Sequence, residues 1–172
     1  MITQLLRDRT KRLEGWKLKA YKCPAGHWTI GAGWNIDAWG IPKHMREYFR
    51  LHDQSITEDM AEELLTISLD AATRQCKELF LDFDLFTENR QMALIDVVFN
   101  MGAGRIKKSF PAFVHAVERK CWQWAADELK YADGIKKGKL SLYWTQLHGD
   151  PDWTDDKKVE RPEENYKLLV EG

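Results

Sequence analysis

Cysteine is scarce in this chain: Cys23, Cys76 and Cys121 are odd in number and show no CxxC spacing. That argues against a disulfide framework or a zinc site and fits synthesis in a reducing compartment. No stretch approaches the ~18 apolar residues of a membrane span. The opening residues, MITQLLRDRTKRLEG, carry charge where a secretion signal needs an apolar run. The expectation is a protein that is cytoplasmic on synthesis, without a stable membrane anchor, and dependent on another protein to reach any target outside. An excess of one charge is missing too, with 26 basic residues against 27 acidic. Nucleic-acid binders usually present a net basic surface, so no nucleic-acid partner is expected. There is no internal repeat and no low-complexity linker, and 172 residues are enough for one core shared by two small lobes.

A calcium loop is also missing where one might be sought. Asp150, Asp152, Asp155 and Asp156 form an acidic run, but the glycine and the closing glutamate of an EF-hand loop are absent. A solvated insertion is expected there, with no metal and no cofactor.

What the chain has in excess is tryptophan, eight residues, of which Trp16, Trp28, Trp34 and Trp39 fall in or just after 14–35. Flat aromatic faces stack on sugar rings and on bases alike, so this is compatible with a polysaccharide cleft without selecting one. Upstream, Ile2, Leu5, Leu6 and Leu13 share one helical stripe and Gly15 supplies the stop. Glu14 therefore falls at a helix C-terminus, where the helix dipole disfavours a negative charge and suits an acid that must keep its proton. From Trp16 the period changes to two: Trp16, Leu18 and Ala20 alternate with Lys17, Lys19 and Tyr21, and Trp28, Ile30, Ala32 and Trp34 alternate with His27, Thr29, Gly31 and Gly33. Cys23-Pro24-Ala25-Gly26 has Pro second and Gly fourth, as a type I turn prefers. The hairpin so formed puts Cys23 and Thr29 opposite the Trp/Ile face, and Gly31 and Gly33 leave that face bare for a ligand.

Farther on, 42–51 predicts a short helix with Met45, Tyr48 and Phe49 inward. Thr57 caps a long helix with Met60, Leu64, Ile67, Ala71 and Leu79 near one face, with Ser55 and Glu58 offering a competing capping box; at 1.5 Å per residue it makes a strut of roughly 35 Å. Residues 81–86 read as a loop. Thr87 opens RQMALIDVVFNM, apolar on nearly every side and hence buried all round, with Gly102 and Gly104 ending it. Ser109 is expected to cap FPAFVHAVERK, CWQWAADELKY gives another amphipathic helix, and Pro162 starts the last one, to Val170.

Hydrolysis of a glycosidic bond needs a proton donor for the leaving oxygen and a second group that activates water or attacks the sugar carbon. Glu14 qualifies as the donor by position. Glu14, eight residues, Cys23, five residues and Thr29, within LKAYKCPAGHWTIGAG, together resemble the Glu, Asp/Cys, Thr triad of the phage-type lysozymes, glycoside hydrolase family 24. RQMALIDVVFNMGAG followed by SFPAFVHAVERKCWQWAADEL is similar to that family's central C-terminal helix and its successors. The resemblance implies an α+β, mostly α, two-lobed fold: a small N-terminal antiparallel hairpin or sheet, a long linking helix and a C-terminal helical lobe. As one domain over 1–172, the N-terminal lobe would take about 14–56, the linking helix about 57–79 and the helical lobe about 80–172, with helix 1–14 able to pack on the last.

It further implies a muramidase that cleaves the β-1,4 bond between N-acetylmuramic acid and N-acetylglucosamine in peptidoglycan. A phage or prophage endolysin, monomeric and released to the wall with a holin or equivalent, would fit. Carried over by position, Glu14 is the general acid and Thr29 helps hold the attacking water. Cys23, where many members have Asp, either positions water or attacks as a thiolate; an ordinary thiol, with pKa near ~8.5, is mostly neutral at pH 7. Tyr21, Trp34, Asn100 and Arg161 are the expected substrate contacts. Trp34 stands where many members have His, and Arg161 is the candidate for an arginine that pairs with the catalytic acid. The rival activities are a lytic transglycosylase, which needs only the acid, and a non-catalytic wall-binding or tail-structural module that kept the fold.

Overall fold

The computed structural model describes residues 3–23, 25–131 and 155–172, with side chains in the last span described from Glu160 onward. Ile2, Pro24 of the predicted turn, and Asp150 and Asp152 of the acidic run lie outside the described residues, as do the side chains of Asp155 and Asp156. The chain divides into two compact units, Met1–Asp70 and Ala71–Gly172.

In the first unit, α1 (Gln4–Glu14) starts at Thr3, whose hydroxyl accepts the Leu6 amide, and stops at Gly15, whose φ of 81° suits only glycine. It buries Leu6, Arg9, Thr10 and Leu13. Leu5, expected in the same stripe, is 60% exposed, because the buried face is one step round at positions 6, 9, 10 and 13. Arg7 donates to Thr66 at 2.9 Å and, with Lys11, pairs with Glu62.

The predicted hairpin is there and gains a third strand. β1 (Lys17–Lys22), β2 (Trp28–Gly31) and β3 (Trp34–Asn35) form an antiparallel sheet in that order. The turn after β1 closes through Gly26 N to Cys23 O at 2.7 Å and Cys23 N to His27 O at 2.9 Å. Gly31 and Gly33, read from the sequence as a bare strand surface, instead make the second turn, with φ of 64° and 82°. That conformation needs glycine, so the GAG run reverses the chain rather than extending it.

The apolar face of the sheet carries Ile30 and Trp34 into a core with Ile41, Met45, Ile56, Ala61 and Leu64, and Trp16, Leu18, Ala20, Phe49 and Met60 pack against it. The outer edge of β1 is covered by 54–56, through Ala20 N to Gln54 O at 2.9 Å and Ile56 N to Leu18 O at 2.8 Å. α2 (Ile36–Trp39) follows β3 directly, and α3 (Arg46–Leu51) follows a 3-10 turn at Lys43–Met45.

α4 (Glu58–Leu79) is capped as expected by Thr57, whose hydroxyl accepts the Met60 amide at 3.2 Å. Its buried face runs through Ala61, Leu64, Leu65, Leu69, Ala72 and Cys76. The predicted stripe is thus rotated: Leu64 is shared, while Ile67 is 39% exposed.

In the second unit, a 3-10 turn at Phe83–Leu85 buries Phe83 and Phe86, and the Gln91 amide donates to both of their carbonyls. α5 (Glu88–Met101) starts at Thr87 and is buried continuously from Met92 to Val98, as its all-round apolar sequence requires.

Residues Ala103–Ser109 form a further helix, α6, and α7 (Pro111–Glu118) has Phe110 at its cap with Pro111 in the first turn. Ser109 therefore ends a helix instead of capping the next. Proline at the first helical position loses no hydrogen bond, so it marks the start that serine was expected to mark. α8 (Trp122–Lys130) and α9 (Asp155–Glu171) complete the unit, and α9 contains Pro162 instead of beginning at it.

Candidate active site

Glu14 is the last residue of α1 and is half-buried. A Cβ built on Gly33 would lie 3.7 Å from its Oε2, so the carboxylate stands at the turn between β2 and β3. The sheet register sets the rest. Tyr21 pairs with Thr29 and Thr29 with Asn35, which lines the three up across the strands on the face opposite Ile30 and Trp34. Thr29 is buried, and its hydroxyl donates to the His27 carbonyl at 3.1 Å.

Cys23 is a half-buried free thiol two pairing steps beyond Tyr21, opposite His27. By alternation it shares the face of Tyr21 and Thr29. Glu14 thus stands at the β2–β3 turn, Cys23 at the β1–β2 turn, and Thr29 on the strand that joins the two turns. Chemically, the set can give a proton, orient water and accept a proton in return.

Tyr21 belongs with this group, half-buried, with the Lys17 ammonium 4.3 Å from its ring centroid. Trp34 does not. It is 8% exposed on the core face, donates its indole N–H to the Gly40 carbonyl at 2.8 Å and meets the Trp39 ring edge-on at 5.0 Å. As the sheet alternates, Trp34 and Thr29 cannot face the same way.

Asn100 sits half-buried in the last turn of α5 and donates to the Asp96 carbonyl at 2.8 Å. Arg161 is 1% exposed and grips Asp96 with two bonds, Nε to Oδ2 at 3.1 Å and Nη2 to Oδ1 at 2.8 Å; Asn165 adds a third at 2.7 Å. Both Arg161 bonds lie within the second unit.

Three polar residues near or behind these positions escaped the sequence reading. His27 Nδ1 lies 3.7 Å from Asp37 Oδ2, which also accepts the Trp28 amide at 2.9 Å. Strand parity could have found His27, since it alternates with Trp28 exactly as Thr29 does with Ile30. Asp96, alone among apolar residues in ALIDVVF, is the kind of buried charge that demands a partner.

A helix-rich chain with a small antiparallel sheet, carrying an acid at a helix end beside that sheet, is built as a lysozyme-type α+β protein. The sequence profile of the family described as phage lysozyme matches residues 11–141. Two curated proteins of Dictyostelium discoideum are similar. Probable T4-type lysozyme 2 is 30% identical over 139 residues, covering 73% of this chain and 81% of that protein. Probable T4-type lysozyme 1 is 27% identical over the same shares. The chain belongs to the phage lysozyme family, whose membership supports a glycoside hydrolase activity of the muramidase type. Among the described residues no helix is long and apolar enough to cross a membrane.

Proposed function

We propose that the chain is an endo-acting muramidase that cleaves the β-1,4 bond between N-acetylmuramic acid and N-acetylglucosamine, and that it serves as a phage or prophage endolysin. The observation that carries this reading is Glu14 at the end of α1 beside Gly33, with Thr29 and Cys23 on the adjoining sheet face.

In this reading Glu14 protonates the leaving glycosidic oxygen, Cys23 acts on the water that replaces it, and Thr29 holds that water. Tyr21 and Asn100 contact the glycan. Synthesis in the cytoplasm followed by passage to the wall through a holin or equivalent completes the scheme, with the enzyme working as a monomer and bacteriolysis as the outcome.

The test is product analysis of purified peptidoglycan digested by the parent chain and by Glu14→Gln. New reducing ends from the parent and a loss of at least a hundredfold in Glu14→Gln are expected, the scale of a lost general acid. Anhydro ends would replace hydrolysis with transglycosylation, and equal digestion by both chains would remove Glu14 from the acid role.

A further inference from the structure

Glu14 occupies an awkward place for a residue that must deliver a proton. It is the last residue of α1, where helices fray, and Gly15 after it holds a φ of 81° on the residue type with the freest backbone. Acid–base chemistry needs its groups held to within about 0.5 Å, so the chain on both sides of Glu14 has to be fixed.

The side before it is fixed on α4. Positions 7, 11 and 14 fall on one stripe of α1, and 58, 62 and 66 on one stripe of α4. Glu62 takes Arg7 at 3.5 Å and takes Lys11 as well, while Thr66 accepts from Arg7 at 2.9 Å. The side after it is fixed by Trp16. The indole N–H donates to Glu58 Oε2 at 2.6 Å, in the first turn of α4, and the ring packs against the core of Ile30 and Trp34. Lys11 joins the two sides: its ammonium pairs with Glu62 and lies 4.5 Å from the Trp16 ring centroid, and its carbonyl accepts the Gly15 amide at 3.0 Å. All of these residues lie within the first unit.

A ladder of exposed or half-buried pairs contributes little to stability, because solvent screens the charges and each rung orders long side chains. What it does is restrict geometry. Its last rung, Trp16 on Glu58, lies just past Glu14, across the one glycine about which the end of α1 can swing.

We propose that Trp16 is a positioning residue for Glu14, and that its bond to Glu58 and the cover of Lys11 hold the carboxylate in its productive place. The proposal rests on the muramidase reading for what Glu14 does with its proton, and on the contacts between α1 and α4 for how its place is kept. Trp16 acts through the Gly15 turn and not by contact with the glycan.

The experiment uses the full chain and single variants of it. Trp16→Phe keeps a ring under Lys11 and loses the N–H; Glu58→Ala loses the acceptor; Glu58→Gln keeps an acceptor oxygen without the charge. Arg7→Met cuts the same ladder two turns before Glu14 and controls for stability. On purified peptidoglycan, Trp16→Phe and Glu58→Ala are expected to lower kcat for reducing-end release about tenfold with KM within about twofold, as for a displaced acid. Glu58→Gln should restore most of the rate, and Arg7→Met should keep kcat within about twofold for a similar loss in thermal midpoint. An unchanged kcat in Trp16→Phe, or an equal loss in Arg7→Met, overturns the proposal.

Amide exchange gives a reading that does not depend on activity. The Gly15 amide should exchange about tenfold faster in Trp16→Phe and Glu58→Ala than in the parent and in Arg7→Met, because opening its bond to the Lys11 carbonyl is what the clamp opposes. Equal protection in every chain overturns the proposal too. If the parent releases no reducing ends, the muramidase reading fails, and the Gly15 amide still decides whether Trp16 holds the end of α1.

Discussion

Gly33 shows how one residue without a side chain can govern its neighbour, here Glu14. Its φ of 82° lies in the left-handed region, and an added Cβ would meet Glu14 Oε2 at 3.7 Å, an ordinary contact. The cost of Gly33→Ala is therefore conformational, about 1–2 kcal/mol. Thermal unfolding should show a lower midpoint, and lysis should weaken because the turn beside Glu14 has shifted. Cys23 offers the complementary experiment: Cys23→Asp is expected to retain lysis and Cys23→Ser to lose most of it, measured on purified walls. At this scale the sequence was informative wherever alternation decided the matter. The parity that put Thr29 and Cys23 on one face also put Trp34 on the other. The contact role of Trp34 came from its place in the family pattern, and the pleat gives that position to the core.

Helix starts were legible where a threonine hydroxyl caps them, at Thr57 and Thr87. Thr57 caps α4 as its position predicts, and Thr57→Ala should destabilise the chain by about 1 kcal/mol in urea unfolding. The buried face of α4 was harder, because Leu64, Leu65, Ile67 and Leu69 are all apolar and several stripes fit the pattern equally well. Only packing chooses 61, 64, 65, 69, 72 and 76.

α6 went unseen because Gly102 and Gly104 bracket its first turn, and glycine reads as a stop. Yet Gly102 alone takes a positive φ, and the Ala103 amide finds an acceptor in Gln75 Oε1 at 2.9 Å. α9 runs through Pro162 for a comparable reason. Proline inside a helix costs ~3 kcal/mol, and the turn around it puts Arg161 and Asn165 on Asp96. Arg161→Met would leave that buried carboxylate with one partner fewer and should destabilise the protein by about 3–5 kcal/mol, read as a lower urea midpoint.

At the scale of the molecule, pH acts on the second unit through Lys130 and Glu163. Glu163 is lowered, chiefly by the hydrogen bond from Lys130, with burial opposing it. Lys130 is raised: burial alone would lower it, but the bonds to Glu163 and Tyr131 together outweigh that. A lowered carboxyl stabilises above its ordinary value of ~4.3 and loses that contribution as pH falls through the folded value. A raised ammonium stabilises fully below ~10.4 and loses its contribution as pH rises through the folded value. The pair therefore supports the unit across the neutral range. Since the Glu163 side chain is 43% exposed, solvent screening keeps its worth below about 1 kcal/mol. Glu163→Gln should lower stability by up to that amount at pH 7 and leave it unchanged near pH 3, in parallel urea titrations.

The seven consecutive buried residues from Met92 to Val98 carry a consequence for the order in which the second unit comes apart. An amide trades its hydrogen for deuterium only when its bond opens, and in a helix enclosed on every side that opening must disturb the neighbours as well. The amides of 92–98 should be the slowest in the unit to exchange, at a rate set by its global unfolding. Those of α6, a helix of seven residues with only Ile106 buried, should exchange through local fraying and much sooner.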